Sequence, residues 1–279
     1  MDIREIETMV FDIDGTLVDG DGKIMEKTKK AIIDVQNQGV HIILASGRPF
    51  KSMLALAKEL ELDKHKGIIL CNNGAMAYDT KNSKIIFETP IDHDLVLEIL
   101  EKIDGRPIAP MIEAGDYLLV EDINSGIIYL NGKRMDIIRR EAAFGDFAIK
   151  EVYPMEDHLN HPINKFLTIL DPEIVQATIE EYKKIFENRL HVVQTSPFFM
   201  EFVMPEVSKS YGLEKLGFNP DTMMAFGDSM NDREMLAFSK YPVAMGNALA
   251  PVKEIAYHVT DDNDNEGIYK ALKYFGFVE

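Results

Sequence analysis

The sequence predicts an α/β protein in which a mostly parallel sheet, covered by helices, is interrupted by an inserted α+β domain. Three observations carry the prediction. Apolar runs of strand length alternate with amphipathic helical stretches at both ends of the 279-residue chain. The loops that follow those runs are rich in Asp, Asn and Gly, which suits the carboxyl edge of a parallel sheet. The middle of the chain lacks that strand-to-acidic-loop rhythm.

Thr8-Met9-Val10-Phe11 reads as a buried strand stopped by Asp12-Ile13-Asp14-Gly15-Thr16, and Glu26 to Val35 then carries a helical pattern that ends near Gly39. Val40 to Ala45 is a second, almost continuously apolar strand. Ser46-Gly47-Arg48-Pro49 turns it into a helix reaching about Leu60. Ile68 to Cys71 supplies a third strand, ended by the turn residues Asn72-Asn73-Gly74. Near the C-terminus, Thr222 to Phe226 is a strand that stops at Gly227-Asp228-Ser229-Met230-Asn231-Asp232, with a helix through Ser239. Tyr241 to Met245 and His258 to Thr260 add short strands, and Glu266 to Tyr274 a closing helix.

In the middle, Lys84 to Glu88, Tyr117 to Glu121, Phe166 to Leu170, Val192 to Thr195 and Met200 to Met204 are strand-like, with Gly126 to Leu130 as a hairpin partner. Asp92 to Ile103 and Glu173 to Asn188 are helical. The expected division is therefore residues 1–83 with 205–279 as one domain and 84–204 as the insert. No Pro/Gly/Ser-rich linker separates them, so short structured connections are expected. The insert is the more acidic part, with 12 basic and 22 acidic residues.

Composition narrows the function classes. A hydrophobic content of 46% in a chain of this length buries a sizeable core. The net charge of -17 denies a nucleic acid or an acidic membrane surface the basic footprint it needs. One cysteine forms no internal disulfide, no apolar run is long enough to cross a bilayer, and Met1 to Glu7 does not look like a secretory signal; a cytoplasmic setting is expected. The seven histidines contain no His-x-x-x-His pair, and neither a GxGxxG loop nor a GxxxxGK[ST] loop is present.

The chemistry lies in the strand-end loops. Asp12 and Asp14 flank Ile13 at a predicted strand terminus, and Asp228 and Asp232 repeat the arrangement after another strand. Parallel packing brings such loops together, and clustered carboxylates suit Mg²⁺ and, through it, a phosphate. Each segment taken alone also reads as an ordinary turn.

The complete order of motifs resembles the haloacid dehalogenase-like (HAD) hydrolase superfamily, specifically its Cof-type phosphatases with a large C2-type cap. Asp12-Ile13-Asp14-Gly15-Thr16 looks like the first motif, Leu44-Ala45-Ser46-Gly47-Arg48 the second, Lys209 the third, and Gly227 to Asp232 the fourth. Ser210 departs from the glycine common after that lysine. The resemblance implies a Rossmann-like three-layer core with the insert as its cap. It implies that Asp12 is the nucleophile forming an aspartyl phosphate and Asp14 the general acid and base. Ser46 and Lys209 would bind phosphate. Mg²⁺ would be held by Asp12, the backbone carbonyl of Asp14 and Asp228, supported by Asn231 and Asp232.

Gly47, Arg48, Asn73, Gly74, Asn247 and Asn263 are candidates for substrate contact or for supporting these residues; for Arg48 an outward ion pair and for the rest plain turn roles stay open. So does a helix-capping role for Ser46. The expected activity is Mg²⁺-dependent hydrolysis of a small phosphorylated metabolite, a sugar phosphate or a phosphorylated cofactor. A phosphomutase and a non-enzymatic phosphometabolite-binding protein are the alternatives.

Overall fold

The computed structural model describes residues 5–279, so Met1 to Arg4 of the N-terminal segment lie outside the described residues. In chain order, β1 (Thr8–Phe11), α1 (Glu26–Asn37), β2 (His41–Ala45), α2 (Phe50–Glu59), α3 (Leu62–His65), β3 (Ile68–Cys71), β4 (Met76–Asp79) and β5 (Lys84–Glu88) come first. Next are α4 (His93–Ile103), β6 (Ile108–Ala114), β7 (Tyr117–Val120), β8 (Ile127–Leu130), β9 (Lys133–Asp136), α5 (Ile137–Gly145), β10 (Ala148–Glu151), β11 (Phe166–Leu170), α6 (Val175–Ile185), β12 (His191–Ser196) and β13 (Phe199–Val203). The chain closes with α7 (Lys209–Leu216), β14 (Met223–Gly227), α8 (Arg233–Phe238), β15 (Tyr241–Ala244), α9 (Ala250–Lys253), β16 (His258–Val259) and α10 (Gly267–Tyr274).

Two compact units result: the residues up to Glu88 together with Val207–Glu279, and Thr89–Glu206. Among the described residues of the first unit, eight strands run in the order β16-β15-β14-β1-β2-β3-β4-β5. The six from β16 to β3 are parallel, while β4 and β5 are antiparallel to their neighbours. Every residue of β1, β14 and β15 is buried, which requires cover on both faces of the sheet. The continuous apolar runs of these strands are the sequence cause of that placement. Phe11 and Phe226 are cross-strand partners whose rings stack with centroids 4.7 Å apart, an apolar floor beneath the loops that leave β1 and β14.

Lys84–Glu88 departs from the sequence expectation. The sequence pattern places it in the insert, yet it pairs antiparallel with β4 as the edge strand of the large sheet. Its residues are mostly exposed, so its Lys-Ile-Ile-Phe-Glu pattern carries no mark of which sheet it joins.

In the second unit, β10-β7-β6-β11-β13-β12 form a six-stranded mixed sheet. One face packs against α4 and α6 around Phe166, Tyr182, Phe186 and Phe202, with Tyr182 Oη donating to the Lys102 carbonyl at 2.7 Å. The other face carries Met111, Val120, Leu167 and Ile169 and is covered by α5 and the β8-β9 hairpin. No helix among the described residues is long and apolar enough to cross a membrane.

Candidate active site

The site is assembled at the carboxyl ends of β1, β2, β3 and β14. Phe11 is level with Leu44 on one side and Phe226 on the other, so the loops after these strands leave the sheet at one edge. Asp12 follows β1 directly and its N–H donates to the Phe226 carbonyl at 3.1 Å, tying the first acidic loop to the strand that carries the last. The buried Ile13 carbonyl accepts from the N–H groups of Thr16, Leu17 and Val18, which curls the chain tightly. That turn places Gly15 at φ +79°, and a Cβ there would lie 2.6 Å from Asp228 Oδ2. The positive φ favours Gly after the second aspartate, and a side chain there would also displace the Asp228 carboxylate.

Three carboxylates, Asp12, Asp228 and Asp232, each present an oxygen within 4.8 Å of the others. Thr16 Oγ1 and Ser229 Oγ donate to Asp228 at 3.4 and 3.0 Å. Asp232 Oδ2 accepts the backbone N–H groups of Asp228 and Ser229 at 3.0 and 2.9 Å, forming a capping box with Ser229. Its Oδ1 accepts from Lys209 Nζ at 2.5 Å, and the same ammonium donates to Asp12 Oδ1 at 2.5 Å. Lys209 is only 1% exposed. Ser208 caps α7 by accepting from Tyr211 N–H at 3.2 Å, which sets the lysine in the first helical position.

The Asn72-Asn73-Gly74 turn backs this arrangement. Gly74 has φ +98°, and a Cβ on it would stand 2.0 Å from the Ser208 carbonyl, so only glycine lets the segment that carries Lys209 come this close. Asn73 Oδ1 accepts from Asn231 Nδ2 at 3.1 Å, joining the third and fourth loops. Ser46, buried at the end of β2, accepts Asn73 N–H on its carbonyl at 3.0 Å and Arg48 N–H on its Oγ at 3.2 Å. Gly47 lies against the Asn73 side chain. Arg48 pairs with Asp14 through two hydrogen bonds.

The electrostatics favour a cation. Burial pushes the Asp12 carboxyl up to about 7, with Lys209 pulling against it and the neighbouring Asp232 and Asp228 charges adding to it. Burial, and then the charge of Asp232, raise Asp228 as well. Burial works against the Lys209 ammonium, but Asp12 and Asp232 outweigh it and hold the group protonated. Three carboxylates facing one ammonium leave an excess of negative charge. Their oxygen-only donor set fits Mg²⁺ or another hard cation.

Asp12, Asp228, Asp232 and Lys209 are thus in one cluster, with Asp14, Ser46, Gly47, Arg48, Asn73, Gly74 and Asn231 on the loops around it. Asn247 and Asn263 engage the backbone of the first loop, donating to the carbonyls of Gly15 and Val18, each at 2.8 Å. Thr16 and Ser229 also touch Asp228, and neither is among the candidate site residues that the sequence motifs point to. The Ser-x-x-Asp spacing from Ser229 to Asp232 is a capping-box signature that points to the second of them.

Residues 9–272 match the family described as haloacid dehalogenase-like hydrolase. M6_Spy0533 of Streptococcus pyogenes serotype M6 is 28% identical over 274 residues, spanning 96% of this chain and 97% of that protein. The 5-amino-6-(5-phospho-D-ribitylamino)uracil phosphatase YcsE of Bacillus subtilis is 26% identical, over 97% of this chain and 96% of YcsE. Among solved structures, a haloacid dehalogenase-like hydrolase from Bacteroides thetaiotaomicron superposes with a TM-score of 0.87 at 26% identity, covering 96% of this chain and 99% of that one. With nearly the whole length matched, the chain belongs to the haloacid dehalogenase-like hydrolase family, in its Cof-type branch of phosphoric monoester hydrolases.

Proposed function

We propose that this protein is a Mg²⁺-dependent phosphatase that hydrolyses a small phosphorylated metabolite through an aspartyl-phosphate intermediate. The observation that carries the reading is the cluster in which Lys209 bridges Asp12 and Asp232 while Asp228 comes within metal-sharing distance of both. Asp12, Asp228 and the Asp14 carbonyl would hold Mg²⁺, with Asn231 and Asp232 in support, and the ion would supply positive charge for the phosphate oxygens.

The residues divide the remaining work. Asp12 attacks phosphorus, and the bond to the leaving oxygen breaks as Asp14 donates a proton to that oxygen. Water then attacks the phosphorus of the aspartyl phosphate, Asp14 takes the proton of that water, and inorganic phosphate leaves with Asp12 restored as a carboxylate. Lys209 and the Ser46 hydroxyl stabilise the equatorial oxygens. Asp232 acts by holding Lys209 and the backbone of the fourth loop. The Thr89–Glu206 unit is the cap that selects the substrate. Sugar phosphates and phosphorylated cofactors are the substrate class, and the YcsE likeness adds phosphorylated ribitylaminouracil to it. A cytoplasmic setting, where such metabolites occur, belongs to the same reading.

The test is a screen of the purified protein across phosphorylated sugars, a phosphorylated ribitylaminouracil, pyridoxal phosphate and flavin mononucleotide, with and without Mg²⁺. Release of inorganic phosphate that needs Mg²⁺ is expected. Isomer formation without release makes the protein a phosphomutase, and binding without turnover makes it a phosphometabolite-binding protein. Asp12→Asn abolishes covalent labelling by substrate phosphate; a labelled Asp12→Asn protein overturns the nucleophile assignment.

A further inference from the structure

Asp14 projects from the loop after β1 with its side chain 61% exposed, a setting in which a free aspartate samples several rotamers. Arg48 restricts it. Arg48 Nε donates to Asp14 Oδ2 at 2.8 Å and Nη2 donates to Oδ1 at 2.6 Å, a two-point grip that fixes both the position and the plane of the carboxylate.

The arginine is itself held. Its side chain is 11% exposed. Its N–H donates to Ser46 Oγ at 3.2 Å, and its carbonyl accepts from Asn72 N–H at 3.1 Å, so the ends of β2 and β3 both fasten its backbone. Pro49 follows at φ -61° and leads into α2, which leaves the chain little freedom on the far side. The guanidinium is thus presented from a rigid frame to the exposed side chain of Asp14 on an otherwise largely buried loop.

We infer that Arg48 is a positioning residue for proton transfer by Asp14, its fork selecting the orientation from which Asp14 serves the leaving oxygen and then the attacking water. The inference rests on the phosphatase reading above. Each carboxylate oxygen accepts more than one hydrogen bond, so the grip leaves acceptor capacity on Asp14 for the reacting groups. A lysine at this position offers one charged point and no fork, and does not reproduce the orientation.

The experiment uses the full chain and two probe substrates that differ in how much their leaving group needs a proton: p-nitrophenyl phosphate, which needs little, and phenyl phosphate, which needs more. Arg48→Ala is expected to lower kcat on phenyl phosphate by about tenfold or more, part of the range a general acid supplies, with a smaller loss on p-nitrophenyl phosphate and little change in KM. Arg48→Lys follows Arg48→Ala, and it carries the comparison if circular dichroism shows the alanine variant unfolded. The double variant Arg48→Ala/Asp14→Asn is expected to be no slower than Asp14→Asn alone, because the arginine acts only through the aspartate.

Equal losses on the two substrates, a rise in KM that accounts for the loss, or additive losses in the double variant overturn the inference and make Arg48 a direct phosphate ligand. If Asp14→Asn itself fails to discriminate between the two leaving groups, the acid-base reading of Asp14 falls and takes the inference with it. That outcome is distinct from an additive cycle.

Discussion

Lys209 reaches Asp12 and Asp232 from the first turn of α7, and its side chain is fully shielded from water. An ammonium in that position is tolerable only because two carboxylates share it, and each of them depends on it in turn. Removing it leaves two buried carboxylates facing each other and Asp228 without a resident positive charge. Lys209→Gln is therefore expected to lower unfolding stability in Mg²⁺-free buffer by about 3 kcal/mol, read from urea denaturation midpoints. A loss within about 0.5 kcal/mol, the scale of a surface substitution, contradicts the buried-pair account.

Little of this was legible in Ser208-Lys209-Ser210, a polar tripeptide that looks like an exposed helix start. What buries the lysine is the close seat of the Gly74 turn against Ser208 and of Gly212 against Leu70, all long-range contacts. Ser210, the departure from the family pattern, points away from the cluster, with its Oγ near Ser208 Oγ and Glu234. The aspartates were easier to read, because a strand-ending apolar run followed by Asp and Gly names both the place and the chemistry. The pairing of Asp14 with Arg48 was not, since it needs the β1-β2 register to bring two loops side by side.

At the scale of elements, the first loop and the start of α1 are fastened by the C-terminal segment. Asn247 and Asn263 donate to Gly15 and Val18, and Asp264 accepts from Gly20 N–H at 2.7 Å. The Glu266 carboxylate accepts the N–H groups of Lys27 and Thr28 at 3.2 and 2.9 Å and the Thr28 hydroxyl at 2.7 Å. Met25 stands at the N-cap of α1 and has no side-chain acceptor to offer, so Glu266 does from across the chain what a local Ser or Asp does in most helices. Glu266→Ala is expected to cost about 1–2 kcal/mol and to speed hydrogen exchange in the first turn of α1. Unchanged exchange there would refute the capping role.

The sequence patterns located the parallel strands because burial on both faces writes an unbroken apolar run. They did not locate β6 and α5. Pro110 sits inside β6 opposite Thr168 and breaks its strand signature, and α5 is a nine-residue helix whose cap, Asp136, is also the last residue of β9. The boundary of the insert slipped by one strand for a related reason. Which sheet a half-exposed strand joins is decided by its partner, and β4 lies outside the pattern that defined the core.

At the scale of the whole molecule, a net charge of -17 and a buried carboxylate cluster act in the same direction: both make the folded state more costly as acids ionise. The sign for Asp12 follows from its pKa, raised in the fold from 3.8 to about 7. Folding favours its protonated form, so the stability this group contributes is fully present below its unfolded pKa and is lost as pH rises through about 7. A cation in the cluster opposes that loss, and protons compete with it for the same oxygens. Mg²⁺ is accordingly expected to raise the melting temperature most above pH 7 and progressively less below it, with stabilisation of about 2.7 kcal/mol when its concentration is a hundredfold above its Kd. Monovalent salt also screens the general self-repulsion, so KCl at matched ionic strength is the control that separates screening from binding. Asp228→Asn should keep the KCl response and lose most of the Mg²⁺-specific increment. An increment that survives Asp228→Asn, or that KCl reproduces, would mean that the ion acts on the surface charge at large and not at the three carboxylates.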